Sequence, residues 1–208
     1  MARSDLDPSS LSPLPARFYS PSAQVVAPKL LGHYLVRRTG DGWSGGVIVE
    51  TEAYLANDPA CHGFKGKSAR NAAMFGPAGR AYVYFIYGNH WCFNAVCHRE
   101  GVAEAVLIRA IEPFFGVDRM QALRPVEKIR ELTNGPAKLC AALGIDRQLD
   151  GADLSSVGSP VFVAGNPRRA REVSASGPIV ETTRIGLTKA ADMKLRFYLA
   201  GNEFVSRR

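Results

Sequence analysis

The chain has 208 residues, 46% of them apolar and 22% charged, and its 26 basic against 19 acidic side chains give a formal charge of +7. A domain of this length buries about 70% of the surface its unfolded chain exposes, which excludes wholesale disorder, a collagen-like repeat and a small disulfide scaffold. No apolar run approaches the roughly 20 residues that span a bilayer, and Met1-Ala2-Arg3-Ser4-Asp5 opens without an apolar segment, so neither a membrane anchor nor a secretory leader is expected.

Residues 1–16 hold Pro8, Pro13 and Pro15 among four serines, a composition that predicts a loose tail before one domain over residues 17–208. A short helix is expected over residues 20–27, with Ser20 as N-cap and Pro21 at its first position; Pro28 then interrupts it. The extended runs 33–38 and 47–54, joined by a glycine-rich connection, predict a hairpin. A second hairpin is expected over residues 82–97, turning around Gly88-Asn89, and a further strand over residues 105–111.

Residues 114–123, 126–132 and 136–143 read as helices, the last opened by Pro136. The stretch 146–186 is rich in turn residues, and residues 194–199 form a final strand. No repeat or linker divides the chain. This order predicts an α+β fold, a single domain with a mostly antiparallel curved sheet flanked by helices.

Several residues could carry chemistry. Alternation along residues 47–54 places Ile48, Glu50, Glu52 and Tyr54 on one face. Parity does not choose between the two carboxylates, and a solvated face of ordinary acids is the plain alternative. In the second hairpin Tyr87 sits at the tip, where it either folds back on its sheet or serves a basic protein as a wedge in a base stack. A two-residue loop sets Tyr84 opposite Phe93. A three-residue loop sets it opposite Asn94 and brings the two side chains to one face.

Arg109 interrupts an apolar strand, so if buried it needs a carboxylate such as Glu52; otherwise it faces outward. The helix start at Asn134-Gly135-Pro136-Ala137-Lys138 offers backbone N–H groups and a lysine to a phosphate, or is an ordinary capped helix. Arg168, Arg169 and Arg171 form a basic cluster in an expected loop. Cys61, Cys92, Cys97 and Cys140 lack C-x-x-C spacing and are expected to be reduced, with no metal site. His98-Arg99-Glu100 fits the H-x-E element of zinc nucleobase deaminases, but the P-C-x-x-C partner is missing, so the match is read as chance.

Taken together, Val49-Glu50-Thr51-Glu52-Ala53-Tyr54, Ala60-Cys61-His62-Gly63, Arg70-Asn71 and Met74-Phe75-Gly76-Pro77 are followed by Tyr82-Val83-Tyr84-Phe85-Ile86-Tyr87-Gly88 and Asn94. After them come Val106-Leu107-Ile108-Arg109-Ala110, Gly135-Pro136-Ala137-Lys138-Leu139 and Leu195-Arg196-Phe197-Tyr198. This colinear set resembles the alkyladenine (3-methyladenine) DNA glycosylase family over residues 18–207. Gly63, Phe64 and Asn89-His90 depart from the residues common at those places in the family.

The resemblance implies a base-excision repair enzyme that flips alkylated or deaminated purines out of duplex DNA and hydrolyses the N-glycosidic bond. It implies Glu52, rather than Glu50, as general base, with Arg109 helping to hold the attacking water. Tyr54, His62 and Tyr84 would surround the flipped base, Asn94 would crowd the exocyclic amine of normal guanine, and Tyr87 would fill the gap in the duplex. Apart from the resemblance, the helix start read above makes Lys138 a candidate phosphate contact. No cofactor is expected, and the partner would be double-stranded DNA with damaged purines, not a membrane, with the protein a monomer. Its place would be the cytoplasm, on the nucleoid, if bacterial, and the nucleus if eukaryotic. The alternative from another class is a noncatalytic nucleic-acid-binding module.

Overall fold

Strand β2, Gly42–Tyr54, is the longest element of the computed structural model, which describes residues 6–208. Strand β1, Tyr34–Thr39, pairs with its first half, from Thr39 opposite Gly42 to Tyr34 opposite Val47. Strand β5, Glu104–Phe115, runs along the other edge of β2. The edge that β1 leaves is taken over at Glu50, Thr51 and Glu52 by β8, Arg196–Leu199.

The hairpin of β3, Ala81–Ile86, and β4, His90–Cys97, joins the sheet beside β5. Strand β6, Val161–Ala164, pairs with β1, and β7, Ile179–Thr182, pairs with β8. Among the described residues the result is one eight-stranded antiparallel sheet in the order β3-β4-β5-β2-β1-β6, with β8 and β7 off that path. It is not closed into a barrel. With four α-helices among the described residues this is the expected α+β class: α1 (Ala23–Leu30), α2 (Val117–Leu123), α3 (Pro136–Leu143) and α4 (Arg169–Ala175).

The glycine-rich connection turns out to be strand. At Gly46 a Cβ would come within 2.0 Å of Glu112 O, and at Gly45 within 2.1 Å of Leu35 O. Glycine at these two positions therefore lets β2 lie against both neighbours, and the hairpin turn shrinks to Gly40-Asp41. A register shift between Ile48 and Glu50 also turns Ile48 into the main core with Val47 and Val49, so it does not share the face of Glu50 and Glu52 as plain alternation predicted.

Other expectations are corrected. Helix α1 starts at Ala23 with Ser22 as N-cap and runs through Pro28 to Leu30. The capping acceptor comes from far away: Glu104 Oε2 accepts the Ala23 N–H at 2.8 Å. Phe114 and Phe115 extend β5, and α2 begins only after Gly116 reverses the chain with φ 56°. Residues 126–132 hold a single 3-10 turn, Ile129–Glu131, because Leu132 buries its side chain while Ile129 stays exposed, which is too little apolar face for a helix.

Helix α3 is as predicted and ends in a Schellman turn at Gly144, where Ile145 N donates to Cys140 O. The turn-rich stretch conceals β6, α4 and β7, so the arginine cluster lies at the start of a helix and not in a loop. The stretch expected to be loose is held where it is described: Leu11 and Leu14 are buried, and Leu14 N donates to Val163 O at 2.8 Å. Its residues 1–5 lie outside the described residues.

The sheet separates two apolar clusters. Val83, Phe93, Ala95, Val106, Ile108 and Ala110 point into the main core with α1 and α3. Their alternate neighbours Tyr82, Tyr84, Cys92, Val96, Ala105 and Leu107 form a second cluster with Cys61 and Met74. All four cysteines are buried and unpaired. Among the described residues no helix is long and apolar enough to cross a membrane.

At the turn from α1 into β1, His33 is half-buried against the edge of Phe18, and its Nδ1 accepts the Asn166 N–H at 3.2 Å. Burial, then the nearby Arg169 charge, pulls its pKa down to about 4. The unfolded chain therefore takes up a proton below pH 6.5 that the native state refuses. Stability is full above that pH and is lost as pH falls toward 4. His33→Gln should flatten this limb by about 2–3 kcal/mol between pH 7 and pH 4, read from urea unfolding at each pH.

Candidate active site

The second cluster faces a cavity of about 280 Å³ lined by side chains from β2, β3, β4 and β5, by the segment after β2, by the start of α3 and by residues 185–187. Its walls are aromatic, and its volume lies near the lower end for small-ligand pockets. Tyr54, His62, Tyr84, Asn94, Tyr87 and Arg109, all singled out from the sequence, line it. Glu52 does not line it. That carboxylate is fully buried one layer behind, in contact with three lining residues.

Those contacts define its state. Glu52 Oε1 accepts the Ile185 N–H at 2.8 Å and pairs with Arg109 Nη1 at 3.1 Å, while Oε2 accepts the Tyr54 hydroxyl at 2.9 Å. A carboxylate offers about four acceptor positions, so one remains on Oε2. Glu50 is equally buried but has its oxygens taken up by Arg109 Nε, Arg196 Nη1, and the Ser206 N–H and hydroxyl. Burial disfavours the Arg109 cation, yet Glu52 and Glu50 beside it outweigh that and hold its pKa above the ordinary value. Burial and the Glu52 charge push Tyr54 well up, which keeps its hydroxyl a donor.

The aromatic wall is built by register. The β3–β4 loop has three residues, Tyr87 to Asn89, so Tyr84 pairs with Cys92 and Tyr82 with Asn94. Neither expected pairing of Tyr84 is the one observed, because the loop begins one residue earlier, with Tyr87 in the left-handed region at φ 55° and Gly88 at φ 76°. The parity equals that of the three-residue alternative, so Tyr84 and Asn94 do share a face. Asn94 is buried and donates from Nδ2 to Tyr82 O at 2.9 Å. Tyr87 stands out at 80% exposure and does not fold back on its sheet.

His62 reaches the wall from the segment after β2. Its ring meets Tyr84 at 4.4 Å between centroids and an interplanar angle of 69°, and its Nδ1 lies 2.8 Å from the Tyr82 hydroxyl. Burial, and then the Arg70 charge, lowers its pKa, so the ring is neutral at neutral pH. Asn71 pins this segment by donating to His62 O and Gly66 O. Gly63 presses directly on Ala103, where an added Cβ would approach the Ala103 Cβ to 2.1 Å. The departure at Gly63 therefore has a packing reason. Phe64 is exposed.

Lys138 stands on the first turn of α3, next to the cavity residues Pro136 and Ala137, with its Nζ 2.8 Å from Asn134 Oδ1. Sequence reasoning missed four contributors. Tyr82 has the parity of Tyr84 on β3, and alternation alone could have found it. Ile185 acts through its backbone N–H, which leaves no side-chain signature. Asp58 and Arg184 form a fully buried ion pair, and the guanidinium lies 4.7 Å from the Tyr54 ring centroid. Among the described residues no cluster of three metal-ligating side chains occurs.

A buried carboxylate held by an arginine and a backbone N–H behind an aromatic cavity, on a basic protein, is an arrangement suited to an enzyme acting on nucleic acid bases. Residues 17–203 match the methylpurine-DNA glycosylase family, and the chain belongs to it. It is 49% identical over 195 residues to a protein of Carboxydothermus hydrogenoformans and 50% identical over 195 residues to one of Methanoculleus marisnigri, in each case over 94% of this chain and 99% of the relative. A relative from Koribacter versatilis is 46% identical over 210 residues, 99% of this chain and 98% of its own. Each bears the name "Putative 3-methyladenine DNA glycosylase".

Proposed function

We propose that the protein is a monofunctional DNA glycosylase of base-excision repair that takes alkylated or deaminated purines out of duplex DNA and hydrolyses their N-glycosidic bond. The observation that carries this reading is the buried Glu52 carboxylate, held by Arg109, Tyr54 and the Ile185 N–H, three residues that line the aromatic cavity. A base inside a duplex hides its glycosidic bond, so the nucleotide must leave the stack, at least cost when it is damaged or mispaired. The everted base enters between Tyr54, His62 and Tyr84. Asn94, fixed by Tyr82 O, crowds the exocyclic amine of normal guanine.

In the reaction a water bound at Glu52 and Arg109 attacks the anomeric carbon of the sugar. The bond from that carbon to the base nitrogen breaks with its electron pair going to the base, and Glu52 takes the water's proton. Positive charge builds on the sugar during bond breaking, and the Glu52 carboxylate also stabilises it. A cationic alkylpurine leaves as a neutral base and is attracted by aromatic faces beforehand; a neutral lesion must gain a proton as it departs. No lysine lines the cavity, which favours water over an amine nucleophile and hydrolysis without strand cleavage.

At the exposed hairpin tip Tyr87 fills the gap left in the duplex, and Lys138 contacts a phosphate beside the α3 N-terminus. The protein acts as a monomer. The test is incubation with duplexes each carrying one hypoxanthine, ethenoadenine or methylated purine, with abasic sites scored by alkaline cleavage. Release from at least one of them is expected; intact strands throughout would overturn the reading. Tyr87→Ala should weaken binding to such a duplex by about 1–3 kcal/mol, the worth of one aromatic stacked on bases. Fluorescence anisotropy titration checks this, and an unchanged affinity would remove Tyr87 from the interface.

A further inference from the structure

Glu50 is the second carboxylate on the cavity side of β2, and the reaction written above does not use it. Its environment is nonetheless more completely built than that of Glu52. Oε1 accepts Arg109 Nε at 2.9 Å, Arg196 Nη1 at 2.8 Å and the Ser206 hydroxyl at 2.9 Å, and Oε2 accepts the Ser206 N–H at 2.7 Å. Arg109 is thus held at two atoms by two carboxylates, Nε on Glu50 and Nη1 on Glu52. The guanidinium is planar and rigid, so fixing two of its nitrogens fixes the direction of the whole group.

A second route leads to the same place. Arg196 also donates to Thr183 O at 3.0 Å and to Arg207 O at 2.8 Å. Thr183 lies two residues before Ile185, whose N–H holds Glu52 Oε1. Glu50 therefore reaches both donors of Glu52 Oε1, the guanidinium directly and the backbone N–H through Arg196. Buried ion clusters are poor stabilisers compared with apolar packing of equal volume. What this one supplies is fixed geometry around the carboxylate behind the cavity.

We propose that Glu50 is a positioning residue for base release, holding Arg109 and the 183–185 segment, the two donors of Glu52 Oε1, so that the Glu52 carboxylate keeps its place behind the cavity. Ser206 belongs to the same device as the donor that fixes Glu50 itself. The inference rests on the glycosylase reading. Glu50 touches neither the cavity nor its contents and so acts on the chemical step without contributing to base binding.

The experiment compares wild type, Glu50→Gln and Ser206→Ala under single-turnover conditions on a hypoxanthine duplex, alongside equilibrium affinity for the same duplex and thermal melting. Glu50→Gln should slow base release by about 10- to 100-fold, the scale set by small misplacements of catalytic groups, with affinity unchanged within about threefold. Ser206→Ala should show the same split more weakly, and it decides the matter if Glu50→Gln does not fold. A folded variant releasing base at the wild-type rate, or rate and affinity falling together, would overturn the positioning role. Wild type releasing nothing would instead strike the glycosylase reading itself.

Discussion

Glu52→Gln is expected to slow release of hypoxanthine or a methylated purine by about 10³-fold or more, within the range that a general base contributes, while the damaged duplex still binds. The substitution is close to isosteric. A glutamine amide keeps a carbonyl for the Ile185 N–H and a group within reach of the Tyr54 hydroxyl. On the proposed mechanism it loses the negative charge that stabilises the developing sugar cation and the ability to take a proton from water. On the proposed reading affinity comes from other groups, the Tyr54, His62 and Tyr84 faces that line the cavity and the exposed Tyr87. Single-turnover rates with anisotropy titration separate the two quantities. A noncatalytic nucleic-acid-binding module predicts no base release from either protein and an unchanged affinity, whereas full base release by the variant would sink the assignment of Glu52 as the base.

The choice between Glu50 and Glu52 marks how far the sequence reaches. Strand alternation put both on one face with Tyr54, which the structure bears out for those three residues and not for Ile48. The distinction between the carboxylates depends on Arg196 and Ser206, about 150 residues away along the chain, and on an N–H of Ile185. Local pattern has no access to such partners. The resemblance pointed to Glu52 on colinear motifs, and the geometry adds a physical difference: Glu52 is held by three donors, all from residues that line the cavity, whereas Glu50 is held by four, from Arg109, Arg196 and Ser206.

Register and polarity account for the remaining differences. The hairpin at Tyr87-Gly88-Asn89 was legible as a turn, but its first residue was not, because a tyrosine in the left-handed region is uncommon. Helix α4 buries no side chain and so carries no apolar stripe to read. Strand β6 is four residues long and borders the 6–16 stretch, whose buried Leu11 and Leu14 are spaced among prolines and serines that suggested a loose tail. By contrast α3, with proline at its start and glycine at its end, and the strand carrying Arg109 were readable in place.

Asp58→Ala should destabilise the protein by about 3–5 kcal/mol, the cost of removing one partner from a buried ion pair. Asp58 and Arg184 both have fully buried side chains and pair through Oδ2 and Nη1. The guanidinium also donates to Ala53 O at 3.0 Å and to Ala190 O at 3.4 Å. Carbonyls do not neutralise a cation, so the variant leaves a buried charge without a counterion. Asp58 in turn accepts the Ala60 N–H, and its own carbonyl accepts the Cys61 N–H, so it shapes the segment that carries His62. Arg184 precedes Ile185 in its segment, and its guanidinium lies over the Tyr54 ring, 4.7 Å from the centroid. The pair thus joins two walls of the site across β2. Urea unfolding at neutral pH reads the loss, and Tm should fall by about 10 °C, at roughly 2–4 °C per kcal/mol for a chain of this size. Adding Arg184→Met to Asp58→Ala should recover part of the stability, because the stranded charge is then gone, but it should not recover base release, since methionine leaves both carbonyls unpaired and the Ile185 N–H unanchored. A double variant no more stable than Asp58→Ala would mean that the pair's hydrogen bonds, and not its charges, hold the two walls together.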